Sequence, residues 1–105
     1  APEGVRTEIE ESGIGGPAVM LSASSPWIQK AHAILAQISP NSPVYSWEGG
    51  SIPVVAHLAE ISGAAPVLVG FGLEEDRIHA PNESFSLEQF KKGFLYASLF
   101  LANIA

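Results

Sequence analysis

The segment PVLVGF at residues 66–71 is an unbroken apolar run without a charged or polar side chain. A short apolar run of this kind is typical of a strand that is covered on both faces, as in a parallel sheet. Helical patterns lie on both sides of it, so the order of elements from residue 26 onward is α-β-α-β-α. The sequence therefore predicts an α/β fold with a partial, mostly parallel sheet and flanking helices.

Three segments carry the signals of helix starts and ends. Ser25 and Pro26 are a cap and a first-turn residue ahead of an amphipathic stretch, and Pro53 opens a second stretch that Gly63 ends. The sequence SLEQ at 86–89 matches a capping box before a long helix from about Leu87 to Ile104. Apolar residues nearly encircle this last helix, so we expect it to be deeply packed, with these aromatic residues in the core: Phe85, Phe90, Phe94, Tyr96 and Phe100.

Two further segments are predicted as strands. VYSW at 44–47 forms a short strand before the loop EGGS at 48–51. In GVRTEIE at 4–10, apolar and charged residues alternate, which is typical of an antiparallel strand with one solvated face. Residues 11–25 are rich in glycine and serine and are predicted to be a connector, so residues 4–10 are expected to belong to a different structural unit.

The composition indicates a folded chain that covers part of its surface with a partner. Of its 105 residues 47% are hydrophobic and only 15% are charged, which is little charge for a free-standing small domain. The net charge is −6 and the five cations form no basic stripe, so we expect no nucleic-acid binding. The longest apolar stretch, FLYASLFLANIA, is shorter than the roughly 20 residues of a membrane span. Without cysteine there is no disulfide framework, and we expect a cytoplasmic protein.

The loop EGGSIP follows a predicted strand and precedes a predicted helix. Its glycines permit a close approach of the backbone to a ligand, and the start of the next helix presents free N–H groups to an anion. Gly49, Gly50 and Ser51 are therefore candidates for binding a carboxylate or an oxyanion at the carboxyl end of a strand. An ordinary strand–helix turn with a serine cap explains the same residues, and both interpretations stay open.

His79 lies in the polar stretch EEDRIHAPNE, after the carboxyl end of the strand predicted at 66–71. Neutral imidazole is the commonest metal ligand, and its second ring nitrogen usually has a carboxylate or carbonyl partner. Asp76, Asn82 and Glu83 are the candidates for that partner. One histidine is not a metal site on its own, so an inert surface histidine is the alternative interpretation.

Other site types fit the sequence less well. His32 and His57 lie within predicted helices at positions of mixed polarity and are interpreted as surface or boundary residues. A serine hydrolase with Ser51 as nucleophile does not fit, because Pro53 stands where G-x-S-x-G has its last glycine. A phosphate loop of the form G-x-x-x-x-G-K-[ST] does not occur.

Three stretches are informative in combination: EGGSIPVV, VLVGFGLEEDRIHAPNE and the F-K-K-G of residues 90–93. Together they resemble the carboxyl-terminal end of the M20 metallopeptidase family, particularly its dipeptidase-like members. The resemblance is strongest over 48–104, and over 1–47 only the order of elements matches. It implies a zinc-dependent hydrolase of dipeptides or similar small amides, with two zinc ions and a general-base glutamate in the full-length parent. It also implies a homo-oligomer, because the lid domain of such enzymes often dimerises.

The resemblance gives individual residues a role. His79 matches the last metal-binding histidine, Gly49–Ser51 match a loop that lines the substrate pocket, and Asn82 and Glu83 match residues that support the ligand. Trp47 stands where most dipeptidase-like relatives have an arginine. The family's earlier metal motifs, an H-x-D and a Glu-Glu pair, have no counterpart here. At most one zinc ligand is therefore expected, and the isolated chain is predicted to be an inactive fragment.

The resemblance also predicts the domain organisation. Residues 1–12 would be the last strand of a lid or dimerisation domain, 13–25 a crossover linker, and 26–105 the closing part of the catalytic α/β domain. The expected partners are a small peptide substrate and the missing amino-terminal part of the parent chain. The alternative, which does not need the resemblance, is a noncatalytic α/β module for binding or oligomerisation, in which the low charge marks an interface.

Overall fold

The computed structural model describes residues 2–8, 16–48 and 52–104. These residues contain three α-helices and one 3-10 turn: α1 (Pro26–Ile38), α2 (Val54–Ser62), the turn Glu74–Asp76 and α3 (Leu87–Ala102). They divide into two compact units, one within Ala1–Met20 and Trp47–Ala64, the other within Leu21–Ser46 and Ala65–Ala105. The first unit contains α2, and the second contains α1, the 3-10 turn and α3.

The prediction of an α/β fold with a parallel sheet is wrong for this structure, because none of the described residues forms a β-strand. Residues 66–71 and 44–47 have no regular secondary structure, and neither do the described residues of the segment predicted at 4–10. A strand is defined by hydrogen bonds to a neighbouring strand. Apolar composition predicts that a segment will be covered, but it does not supply the partner backbone.

Helix α1 begins and ends where the sequence predicts. Pro26 occupies the first turn, where its missing N–H is not needed and its fixed φ suits the helix. Ser25 holds the cap position, although its side chain makes no cap hydrogen bond. The helix stops at Ser39, whose backbone is extended (φ −126°, ψ 138°), because the residue before Pro40 is disfavoured in the helical region.

Helix α2 also follows the prediction. Pro53 precedes its first residue, and Gly63 ends it in the left-handed conformation (φ 66°), donating its N–H to the carbonyl of Ala59 at 2.9 Å. No residue of α2 is fully buried, and its large apolar side chains Val54, Leu58 and Ile61 are exposed. In this unit the apolar periodicity correctly predicts a helix but does not predict its burial.

The core of the second unit lies between α1 and α3. Ala31 and Ile34 of α1 and Tyr96 of α3 are buried there, and Val67, Val69 and Phe71 pack against them with other partly buried side chains. The Tyr96 ring lies 5.8 Å from Phe71 and 5.6 Å from Phe100, centroid to centroid. Lys30 Nζ donates to the carbonyl of Asn103 at 2.6 Å and so links α1 to the end of α3.

Helix α3 has two apolar faces, and only one of them is covered in the described structure. Ser86 caps the helix by accepting the N–H of Glu88 at 3.2 Å, which confirms the predicted start. Tyr96 is its one buried residue, whereas Phe90 and Phe94 are 62% and 71% exposed and lie on the opposite face. Phe85 is exposed as well, so the prediction of a deeply packed aromatic helix is wrong for these three residues.

Helix α3 is the longest helix of the described residues and is therefore the one to compare with the length of a membrane span. It has 16 residues, fewer than the roughly 20 of a membrane span. Within the part of the chain that the structure describes, no helix has both the length and the apolar character needed to cross a bilayer.

Replacement of Ile34 by alanine tests the core. Ile34 is 5% exposed, so Ile34→Ala should lower the free energy of unfolding by about 3 kcal/mol, through lost burial and the cavity left behind. Ile61→Ala is the matched control, because Ile61 is 84% exposed and its loss should cost less than about 0.5 kcal/mol. Urea unfolding followed by circular dichroism measures both. Equal effects of the two substitutions would contradict the described packing.

Because Tyr96 is buried, we expect the free energy of unfolding to depend on pH in the alkaline range. Burial raises the pKa of Tyr96, so the folded protein keeps a phenolic proton that the unfolded chain loses above about pH 10. The free energy of unfolding should therefore fall as pH rises through and beyond that value. Tyr96→Phe should make this decline shallower, whereas Tyr45→Phe, at an exposed tyrosine, should leave it unchanged. Urea titrations at a series of pH values test this, and identical slopes in both variants would contradict it.

Candidate functional site

His79 lies on an exposed loop between the 3-10 turn Glu74–Asp76 and α3. Its backbone is left-handed (φ 64°), as are those of Arg77 (φ 53°) and Asn82 (φ 62°). Residues other than glycine rarely adopt this conformation, although asparagine and histidine do so more often than most. The N–H of Ala80 donates to the carbonyl of Arg77 at 2.9 Å and closes a turn around His79. The loop is therefore tightly folded at the position of the histidine.

Asp76 lies at the base of this loop and is the one charged residue that is buried in the described structure, at 2% exposure. Its Oδ2 accepts the N–H of Leu73 at 2.7 Å, and its own N–H donates to the carbonyl of Leu73 at 3.1 Å. Its carbonyl accepts the N–H of Ser84 at 3.0 Å. One residue thus connects the chain on both sides of the loop.

Glu83 and Asn82 act on the backbone of the loop. Glu83 Oε2 accepts the backbone N–H of His79 at 3.3 Å, so its carboxylate contacts the peptide group and not the imidazole. Asn82 contributes a left-handed turn, a conformation that its short polar side chain tolerates. His79 is exposed, and no hydrogen bond joins its ring to another described residue.

The second part of the predicted site, Gly49, Gly50 and Ser51, lies outside the described residues. Its role in substrate binding stays a prediction. After it, the chain enters α2 as expected, with the N–H of Val55 donating to the carbonyl of Ile52 at 3.1 Å. Before it, Trp47 is exposed.

The two helical histidines are a boundary residue and a surface residue, as predicted. His57 is exposed on α2. His32 is half-buried and stacks on Tyr45, with ring centroids 5.4 Å apart, and its Nδ1 is buried without a hydrogen-bond partner in the described structure. Gln29 Nε2 holds this pair in place by donating to Tyr45 Oη at 3.3 Å and to the carbonyl of Ala23 at 2.7 Å.

The described donors do not form a zinc site on their own. Zinc sites in proteins take three or four protein ligands. Among the described residues, no group of three or more histidine and carboxylate side chains could hold a metal ion. His79 alone would leave most coordination positions to water, so the described residues contain no complete metal centre.

Two features of the second unit were not identified from the sequence. Asp76 stands in an acidic run that is typical of a solvated loop, yet its side chain is buried. Three of the five aromatic residues predicted as core, Phe85, Phe90 and Phe94, line an open apolar groove of about 240 Å³ beside α3, together with Phe71, Gln89 and Gly93. The signal for the groove was present, because the apolar residues of α3 cover more of its circumference than one contact can bury.

Comparison with known proteins identifies the family. The sequence model of Peptidase family M20/M25/M40 matches residues 5–103, which include both the EGGSIP loop and the His79 loop. No individual curated protein and no solved structure matches the chain significantly. The match covers nearly all of the chain, and the family is one of metallopeptidases. This chain therefore belongs to peptidase family M20/M25/M40.

Proposed function

We propose that this chain contributes to zinc-dependent hydrolysis of a peptide or amide bond in a small substrate, most simply a dipeptide. It would do so as the carboxyl-terminal part of a longer enzyme. Membership of the family supports hydrolase chemistry. The observation that carries the proposal is the exposed imidazole of His79, which sits on a tightly folded loop and is bonded to no described protein group.

His79 suits the role of a metal ligand in three respects. Its ring is exposed, so a metal ion can reach it. Its backbone N–H is already bonded to Glu83, which restrains the residue without using a ring nitrogen. It also lies beside a carboxylate, because Glu83 bonds its backbone N–H, and nearby negative charge favours a bound cation.

The same geometry leads us to expect that the isolated chain is inactive. Catalytic zinc needs about three protein ligands and an open position for water, and hydrolysis needs a general base beside it. The described residues provide no such cluster. The remaining ligands and the base would come from an amino-terminal part of the parent enzyme, which we expect to be a homo-oligomer with two zinc ions.

We assign substrate positioning to Gly49, Gly50 and Ser51. Backbone N–H groups and a hydroxyl in this loop, followed by the start of α2, would suit the terminal carboxylate of a peptide. Trp47 is exposed at the position where the resemblance implies an arginine in most dipeptidase-like relatives, so we expect this end of the substrate to meet an aromatic surface.

A noncatalytic module for binding or oligomerisation is the second candidate. It is favoured by the apolar surface, because twenty large hydrophobic residues of the described structure are exposed and only three hydrophobic residues are buried. Extensive exposed apolar surface is typical of interaction sites. The two candidates differ in one measurable property, which is hydrolysis that depends on both zinc and His79.

The proposal predicts the effect of removing the imidazole in the full-length gene product. His79→Ala should lower zinc-dependent dipeptide hydrolysis by at least about 100-fold and should reduce the zinc content per chain, because a ligand is lost. Hydrolysis is measured over a panel of dipeptides with and without added zinc, and zinc by elemental analysis. His57→Ala is the matched control, because His57 is exposed on α2 and should leave both quantities unchanged.

Two results would count against the proposal. Absence of hydrolysis over the whole panel by the unmodified protein would favour the noncatalytic module. Unchanged activity and zinc content in His79→Ala would show that His79 is an inert surface residue, even in an active enzyme.

A further inference from the structure

We infer that Asp76 is the positioning residue for His79: its buried carboxylate fixes the loop that presents the imidazole. This inference rests on the proposed function, in which His79 binds zinc. Asp76 itself does not touch the metal in this arrangement, because its carboxylate is turned into the protein and bonded to the backbone of Leu73.

A hydrogen bond to the backbone offsets the burial of the Asp76 carboxylate. Removing a charged carboxylate from water is costly unless hydrogen bonds replace the lost hydration. Here Oδ2 accepts the N–H of Leu73 at 2.7 Å, a short charge-assisted bond. The neighbouring Glu74 and Glu75 carry the same charge and are exposed, so the 3-10 turn directs one specific carboxylate inward.

The main-chain bonds of Asp76 join the two ends of the loop. Its N–H and side chain both pair with Leu73, which follows the segment that packs on the core. Its carbonyl accepts the N–H of Ser84, two residues before the cap of α3. Asp76 therefore closes the base of the loop formed by residues 77–83. On one side it is bonded to Leu73, next to a segment that packs on the core, and on the other side it is bonded to Ser84, just before α3.

The conformation of the loop depends on that closure. Arg77, His79 and Asn82 are all left-handed, a conformation that is unfavourable for residues with a side chain. Such conformations persist where the surrounding structure holds them. The loop itself is exposed from Arg77 to Phe85, so its own side chains bury little. The buried Asp76 is the anchor that the structure provides.

A substitution that preserves shape separates positioning from packing. In Asp76→Asn the amide oxygen can still accept the N–H of Leu73, but the bond loses its charge and the buried NH₂ group brings donors that need acceptors. Glu75→Gln removes the same charge from the adjacent exposed residue and is the matched control. Asp76→Ala removes the side-chain bond to Leu73 and keeps the main-chain bonds, and Asp76→Asn keeps the test available if the alanine variant does not fold.

Three measurements on the full-length gene product test the inference. In the metal-free protein, Asp76→Asn should accelerate amide hydrogen exchange over residues 73–84 by about tenfold. Zinc affinity, from competition with a chelator, should weaken by about 10- to 100-fold, the range seen when a group that orients a ligand is lost. The visible absorption of the cobalt-substituted protein should change in Asp76→Asn. Glu75→Gln should match the unmodified protein in all three.

The outcomes distinguish the inference from the proposed function. If His79→Ala weakens zinc binding and Asp76→Asn does not, Asp76 is not a positioning residue, although the proposed function stands. If Asp76→Asn lowers the unfolding midpoint but leaves zinc affinity and the cobalt spectrum unchanged, its role is structural only and the inference is overturned. If His79→Ala changes neither zinc affinity nor the spectrum, the ligand role fails, and the positioning role fails with it.

Discussion

The contact of Tyr96 with Ala31 and Ile34 is the interaction on which the second unit depends. It joins α1 to α3, and the side chains of the segment at 67–71 pack against the same cluster. Ala31, Ile34 and Tyr96 are the buried hydrophobic residues of the described structure. The two helices and the segment that leads to the His79 loop therefore share one small core. A core of this size leaves the unit sensitive to loss of any of its members.

The candidate site takes its geometry from this core through short connections. Phe71 packs against the core, Leu73 follows two residues later, and Asp76 binds Leu73 through its side chain and its backbone. His79 then lies only three residues beyond a buried anchor. An exposed imidazole can in this way be held in a defined position, which is what a metal ligand requires and what a mobile surface histidine lacks.

The apolar surface and the incomplete donor set support the same interpretation. A second apolar face on α3 is uncovered in the described structure, and no group of described donors could hold a metal ion on its own. A catalytic centre assembled with further protein would use both features, since added surface would cover the helix while added ligands completed the site. A noncatalytic assembly module accounts for the apolar face but leaves the folded His79 loop without a role.

Local chemistry determined which parts of this chain are helical, and the sequence was sufficient to predict them. Pro26, Gly63 and Ser86 act on the residues beside them, so the ends of the helices could be predicted without knowing the neighbours. The PVLVGF segment shows the limit, because a strand needs a second backbone that no local pattern supplies. Burial of Asp76 and exposure of Phe90 were likewise decided by tertiary structure, since each depends on what packs around it.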